Sequence, residues 1–248
     1  MLIVLSPAKS LDFSTEFNCP NSTKPKFESE TSLLIENLKQ LASDDLQKLM
    51  AISKKLGDLN HQRFQDFKNN FERQAILAFD GDVYDGIDKE KYREKDFNFA
   101  QKHVVILSGL YGLLRPLDLI KPHRLEMGTD FKNIKFFIKN LYDFWGEKII
   151  SEINKYPAKI IVNLASQEYF LAINSKKINK KIIEIVFQEK KDGTMKTIGI
   201  NSKKARGLMT NFAIKNNIID PQNLQKFHEE NYRFNPSLSS DEKWFFTR

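Results

Sequence analysis

A single cysteine in 248 residues is the sharpest shortage in this sequence. Cys19 can form no intrachain disulfide and no cysteine-based zinc cluster, and the surroundings expected for such a chain are a reducing cytoplasm. Histidine is scarce as well. His61, His103, His123 and His228 stand far apart, with no Glu-x-x-His or His-x-x-x-His spacing, so neither a metal site nor a cofactor is expected. No apolar run approaches the ~20 residues that a membrane span requires. The opening MLIVLSPAKS has no basic segment ahead of its apolar stretch, which ends at a proline after the length of one strand, so it reads as neither leader nor anchor. Internal repeats and low-complexity segments are missing too.

What is present is an ordinary globular composition, 41% hydrophobic and 29% charged, enough for one well-buried core. One compact domain spanning 1–248 is expected. Lysine and arginine exceed the acids by seven, and the resulting pI near 9.2 suits a polyanionic partner through long-range attraction.

Three apolar segments end in loops that carry unusual residues. Val104-Val-Ile-Leu107 runs into Ser108-Gly-Leu-Tyr-Gly-Leu-Leu-Arg-Pro116, where Gly109 and Gly112 permit a sharp turn or the close approach of a ligand, with Tyr111 and Arg115 alongside. Leu2-Ile-Val-Leu5 opens into Ser6-Pro-Ala-Lys9. Ile160-Ile-Val-Asn163 opens into Leu164-Ala-Ser-Gln-Glu168, with Ser166 at its middle. In an open α/β sheet ligands sit beyond the carboxyl ends of the strands, so the three loops are expected to share one cleft, with Glu126 and Glu168 beside Lys9, Arg115 and Arg124. No nucleophile–base spacing is visible among the serines, and Asp80 and Asp82 around Gly81 fit an ordinary turn as well as a hard-cation site.

Elsewhere the pattern is helical. Residues 10–30 are polar and broken by Pro20 and Pro25; Leu34, Leu38 and Leu41 then recur at helical spacing. Residues 44–71 read as helix, short Gly-containing hairpin, helix, the turn falling at Lys55–Asn60 and the second helix on Phe64, Phe67 and Phe71. Lys54, Lys55, Gly57, Asn60 and Arg63 make this a candidate helix-hairpin-helix, a device that offers backbone amides to nucleic-acid phosphates, although it holds one glycine where two are usual. Leu141 to Ile153 is a helix, Ile182 to Phe187 a strand, Asp192-Gly193 a hairpin turn, Met195 to Ile200 a second strand, and Trp244-Phe-Phe an edge strand. Ser202 is expected to open a helix with Lys203, Lys204 and Arg206 in its first turn, cations set against the helix dipole that an anion would reconcile.

Taken together, Leu5-Ser-Pro-Ala-Lys9, Ala75-Ile-Leu-Ala-Phe-Asp-Gly-Asp-Val-Tyr84, Leu107-Ser-Gly-Leu-Tyr-Gly-Leu-Leu-Arg-Pro-Leu-Asp118, Arg124-Leu-Glu-Met-Gly128, Asn163-Leu-Ala-Ser-Gln-Glu-Tyr-Phe170 and Lys203-Lys-Ala-Arg-Gly-Leu-Met209 resemble the YaaA peroxide stress protein family, domain of unknown function 328 or UPF0246. The resemblance spans nearly the whole chain. It implies a cytoplasmic protein of the peroxide response that limits oxidative damage by holding down unincorporated iron. It also implies an α/β fold, a single domain with a mixed sheet flanked by helices, bearing a basic cleft, a helix-hairpin-helix-like element and affinity for double-stranded DNA. Two readings follow. The preferred one is a non-enzymatic, largely sequence-independent DNA binder using Lys9, Arg115, Arg124 and Lys203 to Arg206. The alternative is an enzyme acting on a nucleotide-like small molecule or a nucleic acid in the cleft, among Ser6, Asp80, Asp82, Ser108, Tyr111, Glu126, Asn163, Ser166 and Glu168.

Overall fold

The computed structural model describes residues 1–19, 21–173 and 175–248, so Pro20 lies outside the described residues. Strand β1 (Leu2–Leu5) is four apolar residues, all buried, as a strand covered on both faces must be. The two-residue β2 (Ser10–Leu11) follows, then helices α1 (Glu28–Leu38), α2 (Ser43–Met50) and α3 (Lys54–Gln65). Next come β3 (Arg73–Gln74), a single buried turn α4 (Ala75–Ala78) and β4 (Phe79–Asp80). The chain continues through α5 (Glu94–His103), β5 (Val104–Ser108), β6 (Gly112–Leu114) and β7 (Leu119–Ile120). Then α6 (Leu141–Lys155), capped by Asn140 on the Asp143 amide at 2.8 Å, leads to β8 (Ile160–Asn163), α7 (Gln167–Phe170), β9 (Lys181–Lys191) and β10 (Thr194–Lys196). Helix α8 (Gly199–Lys215) and strands β11 (Arg233–Phe234) and β12 (Lys243–Thr247) complete it.

Eight strands form one mixed sheet in the order β11-β12-β9-β8-β1-β5-β6, with β10 folded back on β9. The run from β12 to β5 is parallel, and β11, β6 and β10 are antiparallel additions. This is the single α/β domain with a mixed sheet and flanking helices that the sequence predicts. Trp244-Phe-Phe does become a strand, one place in from the edge, because Arg233 and Phe234 pair outside it.

Local pattern misplaces three boundaries. The turn expected at Lys55–Asn60 lies inside α3: the Gly57 amide bonds to Ser53 O at 2.9 Å and the buried Asn60 side chain donates to Leu56 O at 2.8 Å, so polar residues are accommodated without breaking the helix. The real turn is Ala51-Ile52-Ser53, with Ala51 left-handed at φ 50. Gly57 serves packing instead, since a Cβ there would lie 2.3 Å from Gln47 Cγ on α2. Helix α8 starts at Gly199 and not at Ser202, whose amide already bonds to Ile198 O at 2.8 Å, and the strand expected to reach Ile200 stops at Lys196.

Two close backbone approaches fix the layers. Gly207 of α8 lies so near the turn Tyr84–Gly86 that a Cβ would meet Val83 O at 1.7 Å. Gly112, at φ +69, turns β5 into β6 with the ring of the fully buried Trp145 directly behind it.

Candidate functional site

Strand β1 pairs with β5 on one side and β8 on the other, so the order reverses between β1 and β8. That switch point, beyond the carboxyl ends of the strands, is the place where open α/β sheets hold ligands. The two loops at this point are bonded to each other. Ser6 Oγ accepts from the Ser166 amide at 2.8 Å and lies 3.3 Å from Ser166 Oγ, and the Asn163 side chain accepts from the Ala165 amide at 3.0 Å. Tyr84 donates its hydroxyl to Ser6 O at 3.0 Å and is fully buried, which pushes its pKa well up.

Beside the serines Glu126 is held between two cations, Lys9 at 3.3 Å and Arg124 at 2.9 Å. Arg124 Nε is closed to solvent and makes no hydrogen bond. Glu168 accepts from the Gly128 amide at 3.1 Å, and a Cβ at Gly128 would crowd that carboxylate. Tyr169 has its hydroxyl pKa raised by burial first and then by the Glu168 and Glu126 charges, which puts all three in one neighbourhood. Lys9, Arg124, Glu126, Asn163, Ser6, Ser166 and Glu168 are thus gathered as expected, with Tyr84, Tyr142 and Gly128 joining them. Tyr142 donates to Glu168 O at 3.0 Å. The arrangement can hold an anion and move a proton. Among the described residues no serine hydroxyl is hydrogen-bonded to an imidazole; the Nδ1 atoms sit against the backbone carbonyls of Leu41, Met1, Lys121 and Lys226.

The third loop does not take part. Ser108 Oγ accepts from the Tyr111 amide at 3.1 Å, Tyr111 is buried with its hydroxyl accepting from the Lys121 amide, and Gly109 is pressed on Leu125 O, so these small residues serve the hairpin and not a ligand. Arg115 does not meet Glu126 or Glu168 but forks onto the fully buried Asp118 at 2.7 and 3.1 Å and donates to Lys24 O. Lys203 pairs with Asp82 at 3.0 Å and Lys204 with Glu230, both beyond the first turn of α8. Asp80 is exposed on β4. Among the described residues no group of three His, Cys, Asp or Glu side chains is placed to hold a metal. No described helix is long and apolar enough to cross a membrane.

Lys54 and Lys55 project from the start of α3, Lys54 with a loose 4.0 Å contact to Asp58. Arg63 is half-buried, its pKa lowered by desolvation, 3.4 Å from Asn60 Oδ1.

One groove was not legible loop by loop. Half-open and of about 1290 Å³, it runs along β9 and is lined also by Asn163 and Gln167 and by Ser202 and Arg206 of α8. Lys176, Lys180, Lys181, Arg206 and Lys243 line it, against Glu184 and Glu242. Its signal lies in the sequence as a charge run: residues 175–196 hold seven lysines and three acids, more than half of the net charge of +7.

A family model described as peroxide stress protein YaaA matches residues 1–238. A UPF0246 protein of Acaryochloris marina is 50% identical over the full length of both chains. UPF0246 proteins of Saccharophagus degradans and Teredinibacter turnerae are 49% and 47% identical, each match covering all of this chain and 99% of the relative.

Proposed function

Because the chain belongs to the YaaA peroxide stress protein family, whose role is in peroxide and oxidative stress, we propose that it protects cells by binding double-stranded DNA without regard to sequence and by lowering free iron. The observation that carries this reading is the concentration of lysines along and around the β9 groove. Phosphate neutralisation supplies essentially all of non-specific duplex affinity, and a half-open groove suits a polymer better than an enclosed pocket would. The exposed lysines Lys54 and Lys55 in the first turn of α3 add a second contact of the same kind. Lower iron then follows indirectly, through protected DNA and altered expression.

The test is fluorescence anisotropy with unrelated duplexes over a salt series. Changing Lys176, Lys181 and Lys243, which all line the groove, together to Gln is expected to weaken every duplex alike and to reduce the log–log salt slope by ~0.9 per lost phosphate contact. An unchanged slope in the folded variant would remove the groove from the interface.

One observation favours a second reading. Two cations, two carboxylates and two serine hydroxyls gathered at the β1–β8 switch point are more than phosphate holding requires, and they suit an enzyme acting on a nucleotide. A Glu126→Gln protein that folds and binds DNA yet no longer rescues peroxide-treated cells would favour it.

A further inference from the structure

Three cations follow one another on α8, and two are satisfied: Lys203 by Asp82 and Lys204 by Glu230. Arg206 is not. Its guanidinium makes no hydrogen bond and no ion pair among the described residues, its Nε is closed to solvent, and it lines the β9 groove. Glu184 acts on it electrostatically, yet the Glu184 carboxylate makes its ion pair with Lys243 at 3.1 Å. A guanidinium left half-buried with no protein partner and one nitrogen cut off from water is costly, and a native chain that leaves one so placed normally has a ligand for it.

We propose that Arg206 anchors a terminal phosphate, the phosphate monoester of a mononucleotide or of a DNA 5′ end, taken into the β9 groove. The planar fork of arginine matches the oxygens of a phosphate bidentately, which a lysine at this place would not. Around it the groove offers the right company. Ser202 lies one turn back on the same helix, Asn163 and Gln167 also line the groove, and Phe170 and Phe245 supply aromatic surface for a base. Its volume of about 1290 Å³ leaves room for a nucleotide beside the protein's own side chains. A monoester fits the position better than a diester within a strand, since Arg206 is half-buried and a continuous strand would have to bring both neighbouring nucleotides down to it. This site does not depend on duplex binding, and a protein indifferent to duplexes would still hold a mononucleotide.

Titration calorimetry on the whole chain decides it, with dAMP, deoxyadenosine and inorganic phosphate. The expected result is saturable binding of dAMP, weaker binding of phosphate and none of the nucleoside. Arg206→Met should lose at least ~10-fold in dAMP affinity while melting no lower than the parent, because a half-buried charge without a protein partner is exchanged for an apolar chain of similar length. Arg206→Lys should fall between. Paired duplexes with and without 5′ phosphates then distinguish the two sources of the monoester. The proposal is overturned if no phosphate monoester binds the parent at millimolar concentration, if dAMP and deoxyadenosine bind alike, or if Arg206→Met keeps full affinity. Should Arg206→Met fail to fold, the comparison of nucleotide with nucleoside on the parent remains decisive.

Discussion

Asp118 illustrates how a residue that looks functional from its neighbours is claimed by the fold. Fully buried, it accepts from the Arg115 amide at 2.7 Å, from the Arg115 guanidinium and from Thr23 Oγ1 at 2.6 Å. Asp118→Asn would leave the arginine half-satisfied, and urea melts should show a loss of about 3–5 kcal/mol with DNA affinity unchanged in the folded fraction. His123 gives a pH signature. Burial pushes it down to about 4, from an unfolded value near 6.5, so it is neutral in the fold and charges on unfolding. Its contribution is fully present above about pH 6.5 and is lost as pH falls towards 4, on the order of 3 kcal/mol, with His103 acting in the same direction. Melts between pH 7.5 and 5 should slope accordingly, and His123→Gln should flatten the slope; an unaltered slope would refute the assignment.

At the scale of elements, what was legible depended on whether the pattern was local. The strands Leu2–Leu5, Val104–Ser108 and Ile160–Asn163 are apolar runs bounded by turn residues, and no other element suits them. The Asp192-Gly193 turn is equally plain, both residues having positive φ. The Lys55–Asn60 segment misleads because glycine and asparagine in a helix are tolerated when a partner helix presses on one and a backbone carbonyl accepts from the other, and neither partner is visible in the local string. Two glycines therefore make opposite predictions. Gly57→Ala should change stability by no more than about 1 kcal/mol, the gain in helix propensity offsetting the displacement of the flexible Gln47 side chain. Gly207→Ala meets the rigid Val83 carbonyl and should cost more than about 4 kcal/mol or prevent folding, as expression and calorimetry would show.

For the whole molecule, the sheet order explains why two of the three candidate loops met. Ser6 and Ser166 follow neighbouring strands at the point where the order reverses, whereas the loop after β5 turns straight back into β6 and closes on itself. Strand order is a long-range property, so the sequence pointed to the loops without saying which would join. The β9 groove was hidden for a related reason: Lys176, Lys180 and Lys181 are close in the chain, but Arg206 and Lys243 join them only through α8 and the pairing of β12 with β9. Contact between this surface and DNA is, on the function proposed above, what protects the cell. Its most direct test is peroxide survival, with labile iron measured alongside, in cells whose only copy carries Lys176, Lys181 and Lys243 changed to Gln and has been shown to fold. Lost protection and raised free iron, in step with lost duplex affinity, are the predicted result. Full protection by a folded variant that no longer binds duplex DNA would contradict it.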